Sequence, residues 1–425
     1  MKIEILCTGD EILTGKTVNT NHSYIAQRLT ENALTTYWGT TVGDDRNSLT
    51  NAFLQASDRA DAVIVNGGLG PTVDDLSQEV AASAAGVELE CHQEWLERLK
   101  AYYSGRGRSM PENNVKQAML PVGAEFIDNP IGTACGFAID IHGTRFFFTP
   151  GVPREMYRMI GEQVIPRLLA MRGTNVTTRL KRFHTFGIGE SRADQLLADI
   201  IQSAESKDSS VKLGFQSHYP QLETKLSAQA SDEKTLNAIL EPVETEVRKR
   251  LGNFILCEDD NTLEATILDY LAASGSKLSV VETTTGGAIA NRLIKTVNSD
   301  QVITRCVASH DLNQLFNSTG ESDYDSAQLN TQTAATLAAA SNAISGSTHS
   351  LAVLAKPDQS PQDRDDQGTD IYMAVAGPSG NSERYARLPG RTGWVRSGAT
   401  EMGLDCLRRH LLDLPVDEKI DFEVR

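Results

Sequence analysis

At 425 residues the chain exceeds a single ordinary core of roughly 100–200 residues, so two or three domains are expected. Apolar residues make up 40% and charged residues 23%, the usage of a chain that folds. A net charge of −16 excludes long-range attraction to nucleic acid or to an anionic membrane, both of which need a basic surface.

Residues 3–8 read as a strand, an apolar run far shorter than a signal-peptide core or a membrane span. The six cysteines are scattered with no C-x-x-C pair, which sets the expectation of a reducing, cytoplasmic location. A helix is expected over 19–30 and a buried strand over 61–66, followed by helices over 75–85, 92–104 and 153–169. Residues 136–141 and 145–149 read as a hairpin. This alternation favours an α/β layer fold with mostly parallel strands.

The polar stretch 171–178 marks a boundary. Beyond it a smaller α+β unit is expected, with strands over 181–187, 211–217 and 222–228 and helices over 190–204 and 233–251. The charge run 258–261 marks a third domain. It alternates again, with strands over 277–281, 351–355 and 370–376 and helices over 287–296 and 326–340. Residues 357–369, polar and almost without apolar side chains, read as a mobile loop.

Three glycine-bearing turns follow strands in the first domain. In Asn66-Gly67-Gly68-Leu69-Gly70-Pro71-Thr72, side-chain-free positions let backbone N–H groups approach a phosphate. Gly9-Asp10-Glu11 and Pro150-Gly151-Val152-Pro153-Arg154 belong to the same edge of an open sheet, where ligands of such folds bind, and Arg154 could reach a phosphate. Asn113 adds a polar loop group. Carboxylates gather around the turns: Asp10, Glu11, Asp44, Asp45, Asp74, Asp75 and Glu79. With a helix starting near Val73, Asp75 and Glu79 share a face, and with Asp74 they could hold one divalent cation that bridges a diphosphate and activates water. The alternative is that Asp74 and Asp75 only cap that helix.

These motifs, with Val18-Asn-Thr-Asn21, Thr41-Val-Gly-Asp44 and Pro111-Glu-Asn-Asn114, resemble the CinA family over nearly all of residues 1–170. The resemblance implies a molybdopterin-binding-like three-layer α/β domain over 1–170, a small α+β KH-like connecting domain over 178–256 and an α/β CinA domain over 260–415. It further implies metal-dependent hydrolysis of ADP-ribose to AMP and ribose 5-phosphate, with Mg²⁺, Mn²⁺ or Co²⁺ as cofactor and a homodimer as the assembly. Asp44 and Asp75 stand where relatives of that fold carry functional aspartates, and Asp10 stands where a threonine is common. The KH-like segment lacks the G-x-x-G clamp and basic flanks that RNA binding needs, so no nucleic-acid partner is expected.

In the last domain the resemblance implies a nicotinamide mononucleotide deamidase, but the site departs from the pattern. Glu282-Thr-Thr-Thr-Gly-Gly287 stands where active relatives read Glu-Ser-Cys-Thr-Gly-Gly. Thr283 thus replaces the nucleophilic serine and, with Thr285, Gly286 and Gly287, makes a degenerate site. A tyrosine and a lysine of the pattern fall on Ser309-His310-Asp311 and Gln314. Lys356 stands where relatives carry glycine. His310 and Asp311 read as a surface loop. The expectation is an ADP-ribose pyrophosphatase without deamidase activity. A nucleotide- or molybdopterin-binding module without turnover, and a nicotinamide mononucleotide amidohydrolase, are the alternatives.

Overall fold

The structure, a computed structural model, describes residues 1–173, 177–200, 210–283, 285–320, 329–357, 368–389 and 392–423. It divides into two compact units, Met1–Arg179 with Gln229–Leu236, and Leu180–Ala228 with Asn237–Arg425.

In the first unit the strands are β1 (Ile3–Thr8), β2 (Thr36–Val42), β3 (Ala62–Asn66), β4 (Leu89–Cys91), β5 (Met119–Pro121), β6 (Glu125–Ile127), β7 (Gly136–Ile141) and β8 (Thr144–Thr149). Six of them form one sheet in the order β2-β1-β3-β8-β7-β6, and β4 pairs with β5. Strands β2, β1, β3 and β8 run parallel, whereas β7 and β6 are antiparallel additions at one edge. Because the four parallel strands end at the same side, the turns after Thr8, Val42, Asn66 and Thr149 share one rim.

Strand β1 is buried along its whole length because helices cover both faces of the sheet. Ile3, Ile5 and Cys7 join a core with Ile25, Leu29, Met156 and Ile160, while Leu6 faces the opposite core of Phe53, Trp95, Phe137 and Phe148. Asn19 starts the helix Thr20–Glu31 by accepting the His22 N–H, and Asp45 starts Arg46–Arg59 by accepting the Ser48 N–H. Strand β2 and the helix Arg46–Arg59 had no counterpart in the sequence reading.

Two expected helices need correction. The one expected from residue 75 begins at Ser77. Asp75 lies ahead of it, its Oδ2 accepting the N–H and the hydroxyl of Thr72 at 2.8 and 2.6 Å. The helix expected over 153–169 is interrupted: Pro153–Met159 opens into a wider π turn, Ile160–Val164, before Ile165–Arg172. Pro166 has no N–H to give to the preceding turn, which suits such an opening.

The remaining strands are β9 (Thr177–Phe186), β10 (Ser210–His218), β11 (Gln221–Ala230), β12 (Ile255–Glu258), β13 (Leu278–Glu282), β14 (Ile303–Ala308), β15 (His349–Pro357), β16 (Gly368–Gly377) and β17 (Gly380–Pro389). They make two sheets, β10-β11-β9-β12 and β14-β13-β15-β16-β17. In the second of these, β14, β13 and β15 are parallel and β16 and β17 antiparallel. Helices Leu263–Ala273 and Thr392–Leu411 pack on one face, and Leu312–Ser318 and Thr331–Ser345 on the other. The helix expected over 326–340 starts at Thr331, where Asn330 and Thr333 cap each other's backbone; residues 326–328 lie outside the described residues, as do 201–204 of an expected helix and 358–367 of the expected loop. Among the described residues, no helix is long and apolar enough to cross a membrane.

Candidate functional site

The rim of the first sheet holds a cleft of about 490 Å³, lined by all three glycine-bearing turns. Gly67 and Gly68 adopt positive φ, 113° and 70°. A Cβ on Gly67 would lie 2.5 Å from Thr8 Oγ1. Ser77 Oγ donates to the Gly67 carbonyl at 2.9 Å, pulling the turn back onto the helix start. Thr8 Oγ1 is buried and has no hydrogen-bond partner among the described residues, so the cradle presents an unspent hydroxyl next to a chain turn without side chains.

Two asparagines hold the turns in register. Asn21 Nδ2 donates to Asn66 Oδ1 at 2.8 Å and to the Gly151 carbonyl at 2.7 Å, and Asn66 Nδ2 donates to the Pro150 carbonyl at 2.8 Å. Neither was singled out as a site residue by sequence reasoning. Both stood inside motifs, Asn66 at the head of the glycine turn and Asn21 at the end of Val18-Asn-Thr-Asn21, with no local mark of the hydrogen bonds they make. Asn113 reaches the rim too, its Nδ2 donating to the Pro71 carbonyl at 3.3 Å, and Lys116 Nζ donates to the Thr72 carbonyl at 3.0 Å.

Of the predicted site residues, Gly9, Glu11, Asp44, Gly67, Gly68, Gly70, Thr72, Asp74, Asp75 and Gly151 all line the cleft. Asp10 and Asp44 exchange backbone-to-carboxylate hydrogen bonds at 3.2 Å each way. Burial, with the charges of Asp10, Glu11 and Asp74, pushes the Asp44 carboxyl above its usual range.

Other residues sit elsewhere. Arg154 is exposed and outside the cleft lining; its neighbour Glu155 faces the cleft instead, with Oε2 accepting from Asn129 Nδ2 at 2.7 Å. Glu79 also lies outside the lining, ion-paired with Arg46 and, at 3.7 Å, with Lys116. These pairs hold its carboxyl below the ordinary value, the Arg46 hydrogen bond foremost. The cation set Asp74, Asp75 and Glu79 therefore does not come together: Glu79 is turned to Arg46, and Asp75 precedes the helix rather than sharing its face. Among the described residues, no three His, Cys, Asp or Glu side chains converge as a metal cage.

A larger hollow of about 570 Å³ lies in the second unit between the helix Glu190–Leu197 and the chain end. Within it Arg192 pairs with Asp421 at 2.7 Å. It offers no cradle of the kind described above.

The second unit places Thr283 at the carboxyl end of β13. Its Oγ1 accepts the Ala355 N–H at 2.9 Å, and its own N–H donates to the Val353 carbonyl at 3.1 Å. Thr285 is buried, its Oγ1 without a partner among the described residues. Gly286 and Gly287, at φ 63° and 87°, turn the chain into the helix Ala288–Ile294. The Arg396 guanidinium lies against Gly286. Buried Glu282 accepts the Ile289 and Ala290 N–H groups at 3.2 and 3.1 Å. Thr284 lies outside the described residues. Among the described residues, no side chain that could serve as a base is hydrogen-bonded to Thr283 Oγ1. His310 is exposed, and Asp311 is spent capping the helix Leu312–Ser318.

Three family models match in succession: a probable molybdopterin binding domain over residues 4–170, the damage-inducible protein CinA KH domain over 180–256 and the CinA C-terminal domain over 260–411. A CinA-like protein of Shewanella sediminis (strain HAW-EB3) is 38% identical over 421 residues, covering 97% of this chain and 96% of that one. A protein of Shewanella oneidensis named nicotinamide-nucleotide amidohydrolase PncC is 36% identical over 418 residues, with 97% and 96% covered. Among solved structures, a CinA protein of unknown function from Thermoplasma acidophilum is 34% identical over 39% of this chain and 97% of its own, with a TM-score of 0.36.

Proposed function

The chain belongs to the CinA family, and from that premise we propose that it is a nucleotide hydrolase whose C-terminal domain acts on the amide of a nicotinamide nucleotide, slowly, with Thr283 as the attacking hydroxyl. The observation that carries this is the placement of a hydroxyl at the end of β13, directly ahead of a double-glycine turn, in a chain matched along nearly its whole length by a relative named for that activity. The sequence alone argued for loss of the reaction, and the comparisons support its retention better than they support diphosphate hydrolysis.

In this reading Thr283 Oγ1 adds to the carboxamide carbon, ammonia leaves, and water releases the acid from the resulting ester. The Ala355 N–H occupies one lone pair of Oγ1, and the β-methyl narrows the approach. Arg396, against Gly286, supplies a cation for the nucleotide phosphate. The test is ammonia release from nicotinamide mononucleotide by the full chain. Release that disappears in Thr283→Ala supports the reading; no release from either the native chain or Thr283→Ser overturns it.

A second reading is favoured by one observation, the Gly67–Gly68 cradle with the unspent Thr8 hydroxyl: the N-terminal cleft hydrolyses ADP-ribose to AMP and ribose 5-phosphate. Gly67, Gly68 and Thr8 would hold a phosphate, and Asp44, with its raised carboxyl, would take a proton from the attacking water. The expected metal set is not gathered, so no step is assigned to a cation. AMP release assayed with Mg²⁺, Mn²⁺ or Co²⁺ tests it; turnover undiminished in both Asp44→Ala and Asp75→Ala would remove these residues from the reaction.

A further inference from the structure

At the end of the C-terminal sheet away from Thr283, two histidines face each other across a glycine. His349 opens β15, which pairs with the start of β13, and His410 lies in the last turn of the helix Thr392–Leu411. Their ring centroids are 6.0 Å apart and the rings are tilted by 74°. A Cβ on Gly377, at the end of β16, would lie 2.6 Å from His410 Nε2 and 3.3 Å from His349 Nε2. Both Nε2 atoms therefore border one small volume that only a residue without a side chain leaves open.

One proton arrangement satisfies the groups around those nitrogens. Thr348 Oγ1 donates its single proton to the Lys277 carbonyl at 3.0 Å, so toward His349 Nδ1, 2.9 Å away, it can only accept. With Thr348 Oγ1 as acceptor, the matching tautomer of His349 has the proton on Nδ1 and the lone pair on Nε2. His410 Nδ1 lies 2.8 Å from Ser382 Oγ, and its Nε2 is buried without a partner among the described residues. Leaving an N–H unmet in such a place costs more than leaving a lone pair unmet, which favours the same tautomer. Burial holds both imidazoles below their ordinary pKa, and the charge of nearby Asp413 partly opposes this at His410.

We propose that His349 and His410 form a two-imidazole site for a borderline divalent cation of the Zn²⁺, Ni²⁺ or Co²⁺ class. Two neutral imidazoles, each oriented by a hydroxyl on its other nitrogen, match how such ions are held. The remaining coordination positions fall to water. Competing thiol sites in the same unit are poor, since burial pushes Cys257 and Cys406 up to about 12 and Cys306 to about 11.

The test is calorimetric titration of Ni²⁺, and separately Zn²⁺, into the full chain. One site is expected whose affinity falls at least about tenfold in His349→Gln and in His410→Gln. Ser382→Ala keeps both ligands and removes only an orienting hydroxyl; it is expected to weaken binding about tenfold as well, and circular dichroism identifies any variant that has not folded. Binding unchanged across all three folded variants, or no binding of either ion to the native chain, overturns the proposal.

Discussion

Thr283 Oγ1 accepts the main-chain N–H of Ala355 at 2.9 Å, so this hydroxyl at the end of β13 is tied to the neighbouring strand. A serine at this position keeps that hydrogen bond and loses the methyl group that restricts χ1. Thr283→Ser is therefore expected to release ammonia from nicotinamide mononucleotide faster than the native chain, by on the order of tenfold. A rate equal to or below the native one would show that the methyl group is not what slows the reaction.

Glu4 is wholly buried in β1 and receives Arg59 Nε at 2.7 Å and Nη2 at 2.5 Å, with the Thr40 hydroxyl at 2.6 Å. Removing the guanidinium leaves a buried carboxylate uncompensated. Arg59→Ala should cost about 3 kcal/mol in urea unfolding. The pair replacement Glu4→Leu with Arg59→Met should cost clearly less, because neither partner is left charged and alone.

Glu258 is held by Arg248 and Lys181, the Arg248 hydrogen bond being the larger influence, and its carboxyl falls to about 2 from an ordinary 4.5. A depressed carboxyl stabilises the fold at pH values above the unfolded-state pKa, and that contribution is lost as pH falls from about 4.5 toward about 2. Glu258→Gln should therefore flatten the acid limb of the unfolding midpoint in that window while lowering the plateau near neutrality. An unchanged acid limb would mean the pair contributes nothing in solution.

Asp44 behaves oppositely. Burial, then the charges of Asp10, Glu11 and Asp74, raise its carboxyl. The favourable contribution belongs to the protonated form, is present at low pH and disappears as pH rises through the folded value. Asp44→Asn can keep an oxygen for the Asp10 N–H while removing the like charge. The variant should unfold at higher urea than the native chain at pH 7 and show little gain at pH 4. A loss at pH 7 would mean that the carboxylate charge itself holds the rim together.

The three glycine turns, the strand 3–8 and the threonine-glycine motif were readable because each is local: an apolar run, a turn chemistry, a spacing. The Asp75–Glu79 pairing was not. It assumed a helix start that Thr72 displaces by drawing Asp75 out of the first turn, and no local pattern reports that Arg46 and Lys116 will claim Glu79. The same holds for Asn21, whose value arises only when Gly151, 130 positions away, is brought beside it, and for Asn66, which meets Pro150 from 84 positions away. Strand β17 and the helix Thr392–Leu411 escaped for a different reason. Their alternation is blurred by charged side chains such as Arg384, Asp405 and Arg409, which are buried in ion pairs.

Buried Glu282 anchors the amides of Ile289 and Ala290 from beneath the double-glycine turn. The start of the helix that follows the turn is thus secured by a carboxylate whose oxygens are already taken by backbone amides. A change of side chain at 285, whose hydroxyl has no hydrogen-bond partner among the described residues, leaves this anchorage in place, whereas a change at 283 that removes the hydroxyl also strands the Ala355 N–H.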